Sequence, residues 1–597
     1  MRFIIVLLNI MAFAGFAMAQ PTLTELRQTD GNWQLFRDGK PYFILGAGGD
    51  ASKERLRQVG ANSFRTWNTE NLDVQLDEAH RLGLSVTVGI WLQHERHGFS
   101  YADDVMVKRQ FESVIEVVQR YKDHPAVLIW AIGNETEGFK AGDNPAIWKA
   151  INDIAKEVKR IDPNHPTMTV TAEIGGKRVE SLRQFCPDID IVGINSYGGA
   201  PTLAKRYRKA NGEKPYIITE FGTRGSWDVK TTAWKAPIEP TSTEKAKQLT
   251  EAYKTSILSE KDRLCLGSYA FFWGWKQEAT ATWFGLLLPD GSRLESVDVL
   301  SEFWTGQRPG NHCPTIESLT VDGSTTAKPG ETIRVKLSAS DPEKDALTVK
   351  WELHKDLEQY QFGGDFQAPP PSFPEAIISG NLNGAEVRLP TEGGGYFLYA
   401  YVRDSNGGAA VANVPLFVDA PLPDYTPPQV KLPFIIYGDD QPSPPYVPSG
   451  FFGDHKGIKL DLKSTDQPHA GKTCLKFFYK SRVVPSGVIW QHPANDMGSL
   501  PGGYNITGAT KLSFWVRGEK GTERAYFTLG VIFDKTKKFH DTAFARTGEV
   551  ELGKEWKQYE IDLKGKDLSR IKTAFGIVMG SGNPDGVTIY IDDVQYE

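Results

Sequence analysis

From Lys40 to about residue 306 the chain alternates between short apolar runs and longer stretches in which apolar residues recur at helical spacing. A short, continuous apolar run is typical of a strand that is buried on both faces, as in a parallel sheet. Eight such runs occur, namely FILGAG, NSFRTWN, LSVTVGIWL, AVLIWAIGNE, TMTVTAEI, IDIVGINSY, PYIITEFG and LGSYAFFWGW. They predict eight buried strands.

Between these runs the spacing is that of amphipathic helices. Two of the predicted apolar faces are Val107, Phe111, Val114, Val118, Tyr121 and Ile147, Ile151, Ile154, Val158, Ile161. Thr241 and Glu244 have the spacing of a capping box before the eighth strand. Eight strand–helix units predict a (β/α)8 TIM barrel over residues 20–306. An open doubly wound sheet is the alternative, but no glycine-rich phosphate loop follows the first strand.

Past the predicted barrel the pattern changes to all-β. From Trp304 to Pro314 glycine, proline and polar residues replace the helical spacing and mark a boundary. Residues 307–420 then alternate apolar and polar side chains, which predicts an antiparallel β-sandwich. A proline-rich linker (421–433) and a second, jelly-roll sandwich (434–597) follow. We interpret the first sandwich as a spacer, and expect the barrel to fold and act without either one.

The N-terminus predicts export. Arg2 precedes an apolar run through Phe16, and the small-residue pattern before Gln20 indicates cleavage after Ala19, so residues 1–19 are predicted to be a signal peptide. We expect a secreted or periplasmic protein. A net charge of -6 gives no electrostatic reason to expect nucleic acid or an anionic membrane as partner. The four cysteines have no spacing that indicates a zinc site or a disulfide framework.

The candidate chemistry lies at the ends of the predicted strands. Glu135 ends the fourth run and Glu220 lies near the end of the seventh. In a parallel barrel the carboxyl ends of all strands share one face, so two carboxylates that are 85 residues apart in sequence can flank one bond of a substrate. Other polar and aromatic residues at strand ends are Arg65, Trp67, Asn68, Trp91, Asn134, Asn195, Tyr197 and Trp273.

Paired carboxyls suit the cleavage of a glycosidic bond. One must give a proton to the leaving oxygen while the other meets a positive anomeric centre, so the two must differ in protonation. The charge of Arg65 favours an ionised Glu220, whereas neighbouring negative charge would raise the pKa of Glu135. The tryptophans that suit stacking on sugar rings are Trp67, Trp91, Trp227 and Trp273, and the amides that suit hydrogen bonds to hydroxyls are Asn68, Asn134 and Asn195.

The motifs IWAIGNE and ITEFG, with FRTWN and NSYGG, resemble the barrel of clan A glycoside hydrolases, and most closely glycoside hydrolase family 2, over about residues 36–306. The resemblance implies that Glu135 is the general acid/base and Glu220 the nucleophile of a retaining enzyme. Family 2 enzymes usually carry β-sandwich domains before the barrel, whereas only a short segment with the predicted hairpin WQLFRDGKPY is expected here.

The same resemblance implies roles for four further residues. Asn134 would hold the sugar 2-hydroxyl, Arg65 and Tyr197 would hydrogen-bond the nucleophile, and Trp273 would line the sugar platform. The first sandwich resembles the immunoglobulin-like modules of secreted glycosidases, and the second resembles carbohydrate-binding modules. Candidate platforms in the second are Trp490, Trp515, Trp556 and Tyr559. No cofactor or metal is expected in the barrel, where no further ligand is evident beside His94, Glu95 and His97, and a structural calcium is suggested at Asp592 and Asp593.

The sequence therefore predicts a secreted, retaining β-glycoside hydrolase that acts on a poly- or oligosaccharide by double displacement. Two alternatives stay open. A β-glycan transglycosylase would use the same two glutamates but pass the glycosyl group to a sugar. A non-catalytic glycan-binding protein on a degenerate barrel is the other alternative, which the presence of both Glu135 and Glu220 disfavours.

Overall fold

The computed structural model describes residues 21–95, 99–138, 141–357, 360, 367, 369–420, 424–439, 444–454, 457–480, 485–580, 583 and 586–597. The predicted signal peptide, residues 1–19, lies outside them. Within the described ranges no helix is long and apolar enough to cross a membrane. The four cysteines are buried as free thiols.

A closed barrel of eight parallel strands forms the first part of the chain, in the order β10-β11-β4-β5-β6-β7-β8-β9. Its strands are β4 (Ile44–Gly49), β5 (Ser63–Arg65), β6 (Ser85–Ile90), β7 (Val127–Asn134), β8 (Thr167–Ala172), β9 (Ile191–Asn195), β10 (Tyr216–Phe221) and β11 (Cys265–Trp273), and an antiparallel ribbon precedes them: β1 (Thr24–Thr29), β2 (Asn32–Arg37) and β3 (Lys40–Pro41). The eight-stranded barrel is confirmed.

Eight α-helices accompany the strands in the described part of the chain. They are α1 (Lys53–Gln58), α2 (Leu72–Leu82), α3 (Asp104–Tyr121), α4 (Pro145–Ile161), α5 (Arg178–Phe185), α6 (Leu203–Lys209), α7 (Ser242–Ala252) and α8 (Glu295–Thr305). The capping box before the last barrel strand is confirmed, because the Thr241 side chain accepts from the Glu244 N–H and the Glu244 side chain accepts from the Thr241 N–H.

The barrel is held by two apolar layers. One lies between strands and helices, where Ile147, Ile151, Ile154 and Val158 of α4 are buried. The other fills the barrel interior and continues to Leu35 of the ribbon. Because both faces of each barrel strand are covered, β7 is buried along its whole length, which explains why its sequence is a continuous apolar run.

The first sandwich is built from two sheets, with strand orders β12-β20-β19-β16 and β13-β15-β18-β17. Its strands are β12 (Arg293–Leu294), β13 (Thr315–Val321), β14 (Thr326–Ala327), β15 (Thr332–Ser340), β16 (Thr348–Lys355), β17 (Ile377–Asn381), β18 (Gly384–Arg388), β19 (Gly394–Arg403) and β20 (Gly408–Val418). The strand β12 belongs to the barrel segment of the sequence, yet it pairs with β20. One sheet therefore contains backbone from both sides of the predicted boundary.

The last part of the chain is a second sandwich, with strand orders β23-β24-β32-β26-β30 and β22-β25-β31-β27-β28. Its strands are β21 (Phe434–Tyr437), β22 (Val447–Phe452), β23 (Ile458–Ser464), β24 (Cys474–Tyr479), β25 (Gly487–Gln491), β26 (Lys511–Gly518), β27 (Arg524–Leu529), β28 (Ala545–Arg546), β29 (Val550–Glu551), β30 (Lys557–Asp562), β31 (Thr573–Met579) and β32 (Val587–Tyr596). The prediction of Trp490 as a sugar platform is wrong, because its indole is 2% exposed and packs inside this sandwich.

Asp592 and Asp593 hold a neighbouring turn. Asp592 Oδ2 accepts from the backbone N–H of His469 at 3.0 Å, and Asp593 Oδ2 contacts His469 Nδ1 at 2.7 Å. The described residues contain no group of three or more His, Cys, Asp or Glu side chains that could hold a metal ion. The structural calcium stays a prediction.

The barrel and the first sandwich share a buried interface, which the interpretation of the sandwich as a spacer did not anticipate. Strand β19 is buried on both faces, because one face meets the sandwich core and the other meets the barrel. The apolar contact consists of Ala236, Ala281, Leu288 and Leu294 from the barrel and Phe397, Tyr399, Tyr401, Ala409 and Val411 from the sandwich. The sequence pattern marks these residues as buried, but it does not say whether they pack inside their own domain or against the neighbouring one.

Polar contacts cross the same interface. Ser242 Oγ accepts from the N–H of Val411 at 2.9 Å, and Thr243 Oγ1 accepts from the N–H of Ile316 at 3.0 Å. Glu239 is buried, forms an ion pair with Lys245, and accepts from the Asn413 side-chain amide of the sandwich. These groups would lose partners if the sandwich were removed, and a buried charge that loses a partner is costly.

We predict that a chain ending at residue 306 unfolds at a markedly lower temperature than one ending at residue 420. The shorter chain re-exposes the apolar side chains of the interface and leaves Glu239 without Asn413. Scanning calorimetry of both chains measures the difference. The chain ending at 420 is the control for truncation itself, and equal melting temperatures would contradict a shared folding unit.

Candidate active site

The two predicted carboxylates lie at the tips of β7 and β10. Beyond Asn134 the chain turns sharply, with Gly133 at φ 77° and Glu135 at φ 50°. A Cβ on Gly133 would meet Thr136 Oγ1 at 2.4 Å, so only glycine fits this turn. The left-handed Glu135 is held by its N–H, which donates to the carbonyl of Val170 at 2.8 Å. Backbone strain at one acidic residue is typical of a functional site.

Three donors surround the Glu220 carboxylate. Arg65 Nη1 donates to Oε1 at 3.0 Å, Trp67 Nε1 donates to Oε1 at 2.7 Å, and the Tyr197 hydroxyl donates to Oε2 at 2.7 Å. An acceptor that receives three hydrogen bonds, one of them from a cation, is stabilised in its ionised form. Gly48 makes room for this arrangement, because a Cβ there would lie 2.5 Å from the Trp67 ring. The carboxylate is thus fixed at both oxygens.

Arg65 connects the strand tips. Its side chain is 1% exposed and, besides Glu220, it donates to the side-chain oxygen of Asn134 and to the carbonyl of Thr219, the latter at 2.9 Å. One guanidinium therefore links β5, β7 and β10. The side-chain nitrogen of Asn134 makes no hydrogen bond among the described residues, so its donor is left for another group.

Asn195, at the end of β9, holds Glu135. Its Nδ2 donates to Glu135 Oε1 at 2.7 Å, and its Oδ1 accepts from the Thr219 hydroxyl at 2.8 Å. Thr219 is the residue before Glu220. The side-chain amide of Asn195 therefore contacts Glu135 on one side and the neighbour of Glu220 on the other. The sequence indicated Asn195 only as a general hydrogen-bonding residue, because its partner is distant in the chain.

Glu135 differs from Glu220 in its surroundings. Burial of its carboxyl, with the negative charge of Glu220 added, raises the pKa of Glu135 from 4.5 to about 8, although the hydrogen bond from Asn195 opposes the shift. At neutral pH Glu135 is therefore mostly protonated, whereas Glu220 lies among donors. Two neighbouring carboxyls whose surroundings differ in this way can serve as an acid and a base or nucleophile.

A second buried acid supports the tip of β7. Glu137 Oε1 accepts from Arg178 Nε at 2.7 Å and from the N–H of Ala172 at 2.8 Å. Burial raises the pKa of Glu137, while Arg178 opposes the shift. The negative charge of Glu137 also contributes to the raised pKa of Glu135. Sequence reasoning missed this pair, because Glu137 looks like an ordinary polar loop residue until Arg178 is placed beside it.

The aromatic side chains beside the two carboxyls, which we call the aromatic wall, are Trp67, Tyr197, Phe271 and Trp227, and they differ from the predicted set. Trp273 is 1% exposed and its indole N–H donates to the carbonyl of Ser52 at 3.0 Å, so the prediction that it lines a sugar platform is wrong. A register shift of β11 against β4 falls between Phe271 and Trp273. Phe271 lies instead beside the carboxylate network, with ring centroids 5.8 Å from Trp67 and 5.9 Å from Tyr197. Sequence reasoning missed Phe271.

Trp227 is the exposed aromatic residue of this wall. Its side chain is 53% exposed, and its ring lies edge-on to Tyr197 at 5.7 Å between centroids. Trp67 was predicted as a stacking surface, but its indole N–H is used by Glu220. An exposed indole beside the carboxylate network leaves Trp227 as a flat apolar face that a ligand can reach.

Two predicted binding residues lie further out. Asn68 is exposed, and its Oδ1 accepts from the N–H of Glu70 at 3.1 Å, as in an Asx turn. Trp91 is partly exposed and stacks on His94 with 4.8 Å between ring centroids. Neither side chain forms a hydrogen bond to Glu135 or Glu220 in the described structure. Their contact with a ligand stays a prediction.

We predict that Glu135 titrates near pH 8. A difference 13C NMR titration of the chain against Glu135→Gln, both labelled at glutamate carboxyls, measures this value. Glu220→Gln should lower the pKa of Glu135, because it removes a nearby negative charge, yet leave it above 4.5, because burial remains. Asn195→Ala should raise it, because an opposing hydrogen bond is lost. A Glu135 resonance that titrates near 4.5 in the unaltered chain would contradict the assignment.

The comparisons with known proteins fall on the barrel. Residues 53–253 match the family model of the TIM barrel domain of glycosyl hydrolases family 2. A beta-glucuronidase from Sus scrofa is 29% identical over 224 residues, which are 32% of this chain and 32% of the relative. A beta-glucuronidase from Felis catus is 32% identical over 152 residues, 24% of this chain and 20% of the relative. The chain thus spans a third or less of these relatives.

Among solved structures, a calcium-binding mutant of a beta-glucuronidase from Bacteroides uniformis aligns over 96% of this chain and 67% of its own, at 12% identity and a TM-score of 0.38. The family match covers the segment that carries β5, β7, β9 and β10, and hence Arg65, Glu135, Tyr197 and Glu220. The barrel segment of this chain, residues 53–253, is therefore similar to the TIM barrel domain of glycosyl hydrolases family 2.

Proposed function

We propose that the protein is a retaining β-glycoside hydrolase in which Glu220 is the nucleophile and Glu135 the general acid/base. The observation that carries this proposal is the difference between the surroundings of the two carboxyls: three donors, one of them a cation, hold Glu220, while burial and charge raise the pKa of Glu135 to about 8. A double displacement needs one carboxylate to attack and one carboxylic acid to protonate the leaving oxygen.

In the first step, Glu220 attacks the anomeric carbon and the Glu135 carboxyl gives its proton to the departing oxygen. As the carboxylate becomes an ester its negative charge disappears, so the raised pKa of Glu135 falls and that group is ready to act as a base. In the second step Glu135 takes a proton from water, which attacks the anomeric carbon and releases Glu220. Arg65, Trp67 and Tyr197 hold Glu220 in place and stabilise it as a leaving group.

Substrate contacts follow from the donors and faces that the protein itself does not use. The Asn134 side-chain nitrogen is available for a sugar 2-hydroxyl, because its oxygen already accepts from Arg65. Trp227 offers an exposed face for a sugar ring. Asn68 and Trp91 lie at the ends of neighbouring strand-to-helix segments and would contact more distant sugar units. Removing Asn68, Trp91 or Trp227 should affect binding more than chemistry.

A poly- or oligosaccharide is the proposed substrate class, acted on outside the cytoplasm. The predicted signal peptide supports export, and the second sandwich supports a polymeric ligand because Trp515 and Trp556 remain partly exposed on it. The relatives are named beta-glucuronidases, so a β-glucuronide belongs in the substrate panel with β-glucans, mannans, galactans and xylans. Product sizing separates the outcomes: monomer indicates exo action, a ladder indicates endo action, and products longer than the substrate indicate transglycosylation.

We predict that the first product keeps the β configuration. Proton NMR of the anomeric signal within the first minutes of hydrolysis, before mutarotation, identifies the anomer. A retaining pair holds its carboxyls about 5 to 5.5 Å apart, whereas an inverting pair leaves about 6.5 to 9.5 Å for a water. An initial α product from a β-glycoside would reject both the mechanism and the assigned roles.

The two glutamates should differ when each is replaced. Glu220→Gln should lower turnover on the order of 10⁴-fold or more, because the nucleophile is lost. Glu135→Ala should spare aryl glycosides with a good leaving group, which need no proton, and added azide should restore their turnover by forming a β-glycosyl azide. Glu157→Ala is the control, since Glu157 lies on α4 and forms an ion pair with Arg160 at 2.6 Å. Azide rescue of Glu220→Gln with a β product would reverse the assignment.

A further inference from the structure

Two residues of the first sandwich reach the catalytic face of the barrel. Tyr360 and Gln367 lie in sequence between β16 and β17, so they belong to the sandwich rather than to the barrel. Tyr360 nevertheless packs against an aromatic cluster that we name the strand-eleven cluster, formed by Phe271, Ala279, Trp283 and Phe284. Trp67 and Tyr197, both donors to Glu220, pack against the same cluster. Tyr360 and two donors to Glu220 thus pack against one aromatic cluster.

The sandwich fixes the Tyr360 ring. Its hydroxyl donates to Asp356 Oδ1 at 2.7 Å, and Asp356 is itself buried, with its N–H donating to the carbonyl of Gly395 at 2.9 Å. Gly395 is the second residue of β19, the strand that packs against the barrel. The polar end of Tyr360 therefore faces the sandwich, while the ring faces the strand-eleven cluster. A ring held in this way loses little entropy when a ligand stacks on it.

Gln367 ties the same region to the barrel backbone. Its Oε1 accepts from the N–H of Ala279 at 2.9 Å, and the side chain is only 6% exposed. Ala279 has φ 60°, a conformation that an L-residue rarely adopts without support. The contact therefore fixes the segment after β11 where it meets Phe271 and Phe284. Gln367 acts through this backbone and is a positioning residue.

The geometry points to Tyr360 as a substrate-binding residue supplied by the sandwich, which forms a wall of the sugar site and takes the apolar C–H face of a glycosyl unit. This inference rests on the proposed function in one respect, namely that the ligand is a sugar. The position of Tyr360 does not depend on it. Tyr360 is partly exposed, and Tyr197, which packs against the same cluster, lies edge-on to the exposed ring of Trp227. The buried interface of β19 and β20 holds the sandwich against the barrel.

The test uses the full chain with Tyr360→Leu, Tyr360→Phe and Gln367→Ala, and Tyr526→Ala as a matched control on the second sandwich. Tyr360→Leu should raise KM for a β-linked tetrasaccharide on the order of tenfold with a smaller change in kcat, because a stacking face is lost. Tyr360→Phe keeps the ring and should stay within about threefold of the unaltered chain. Gln367→Ala should lower kcat and raise KM together, since it releases Ala279. Tyr526→Ala should change neither.

A binding measurement separates this inference from the proposed function. In the Glu220→Gln background, the Kd of β-linked tetrasaccharides of glucose, mannose, galactose and xylose is followed by tryptophan fluorescence. Weaker binding by Tyr360→Leu, with an unchanged melting temperature, supports the inference even if the unaltered chain hydrolyses none of them. Equal Kd values for Tyr360→Leu and Tyr526→Ala would overturn it, as would no binding of any tetrasaccharide. If Tyr360→Leu does not fold, Tyr360→Phe against Tyr360→Ile decides by the same criterion.

Discussion

The buried guanidinium of Arg65 is the interaction on which the site depends. A charge that is 1% exposed is stable only when several partners compensate for its lost hydration, and Arg65 finds them in Glu220, Asn134 and the carbonyl of Thr219. Because these partners come from strands far apart in the sequence, the charge can be satisfied only when the barrel closes with its strands in register. The energetics of one cation therefore couple folding of the barrel to assembly of the carboxylate pair.

The difference between the two glutamates follows from that arrangement. Glu220 receives the cation and two neutral donors, whereas Glu135 receives one amide and faces the charge of Glu220. Burial and the charge of Glu220 raise the pKa of Glu135, so two side chains of the same type acquire different properties. Glu137 adds to the effect from behind, and its own charge is compensated by Arg178 rather than by the catalytic residues. The two carboxyls are thus distinguished by their neighbours alone.

The first sandwich is packed against the barrel through a buried interface. Its strand β19 is covered on both faces, and Glu239 brings a barrel lysine and a sandwich asparagine to one buried carboxylate. A contact of this kind restrains relative movement more strongly than a chain connection does, because apolar area and buried hydrogen bonds would both be lost on separation. The strand-eleven cluster lies between the two bodies, so aromatic residues from both reach the neighbourhood of Glu220.

The sequence by itself determined the barrel, the all-β character of the rest and the strand-end positions of Glu135 and Glu220, because periodicity and buried runs are local properties. The tertiary structure decided which neighbours those residues have. Asn195, Phe271 and Tyr360 come to the site from distant segments, and a register shift in β11 sends Trp273 into the core while Phe271 stays beside the network. Which side chains contact each other depends on packing between distant segments and on which face of a strand is covered. The local sequence pattern predicts neither of these.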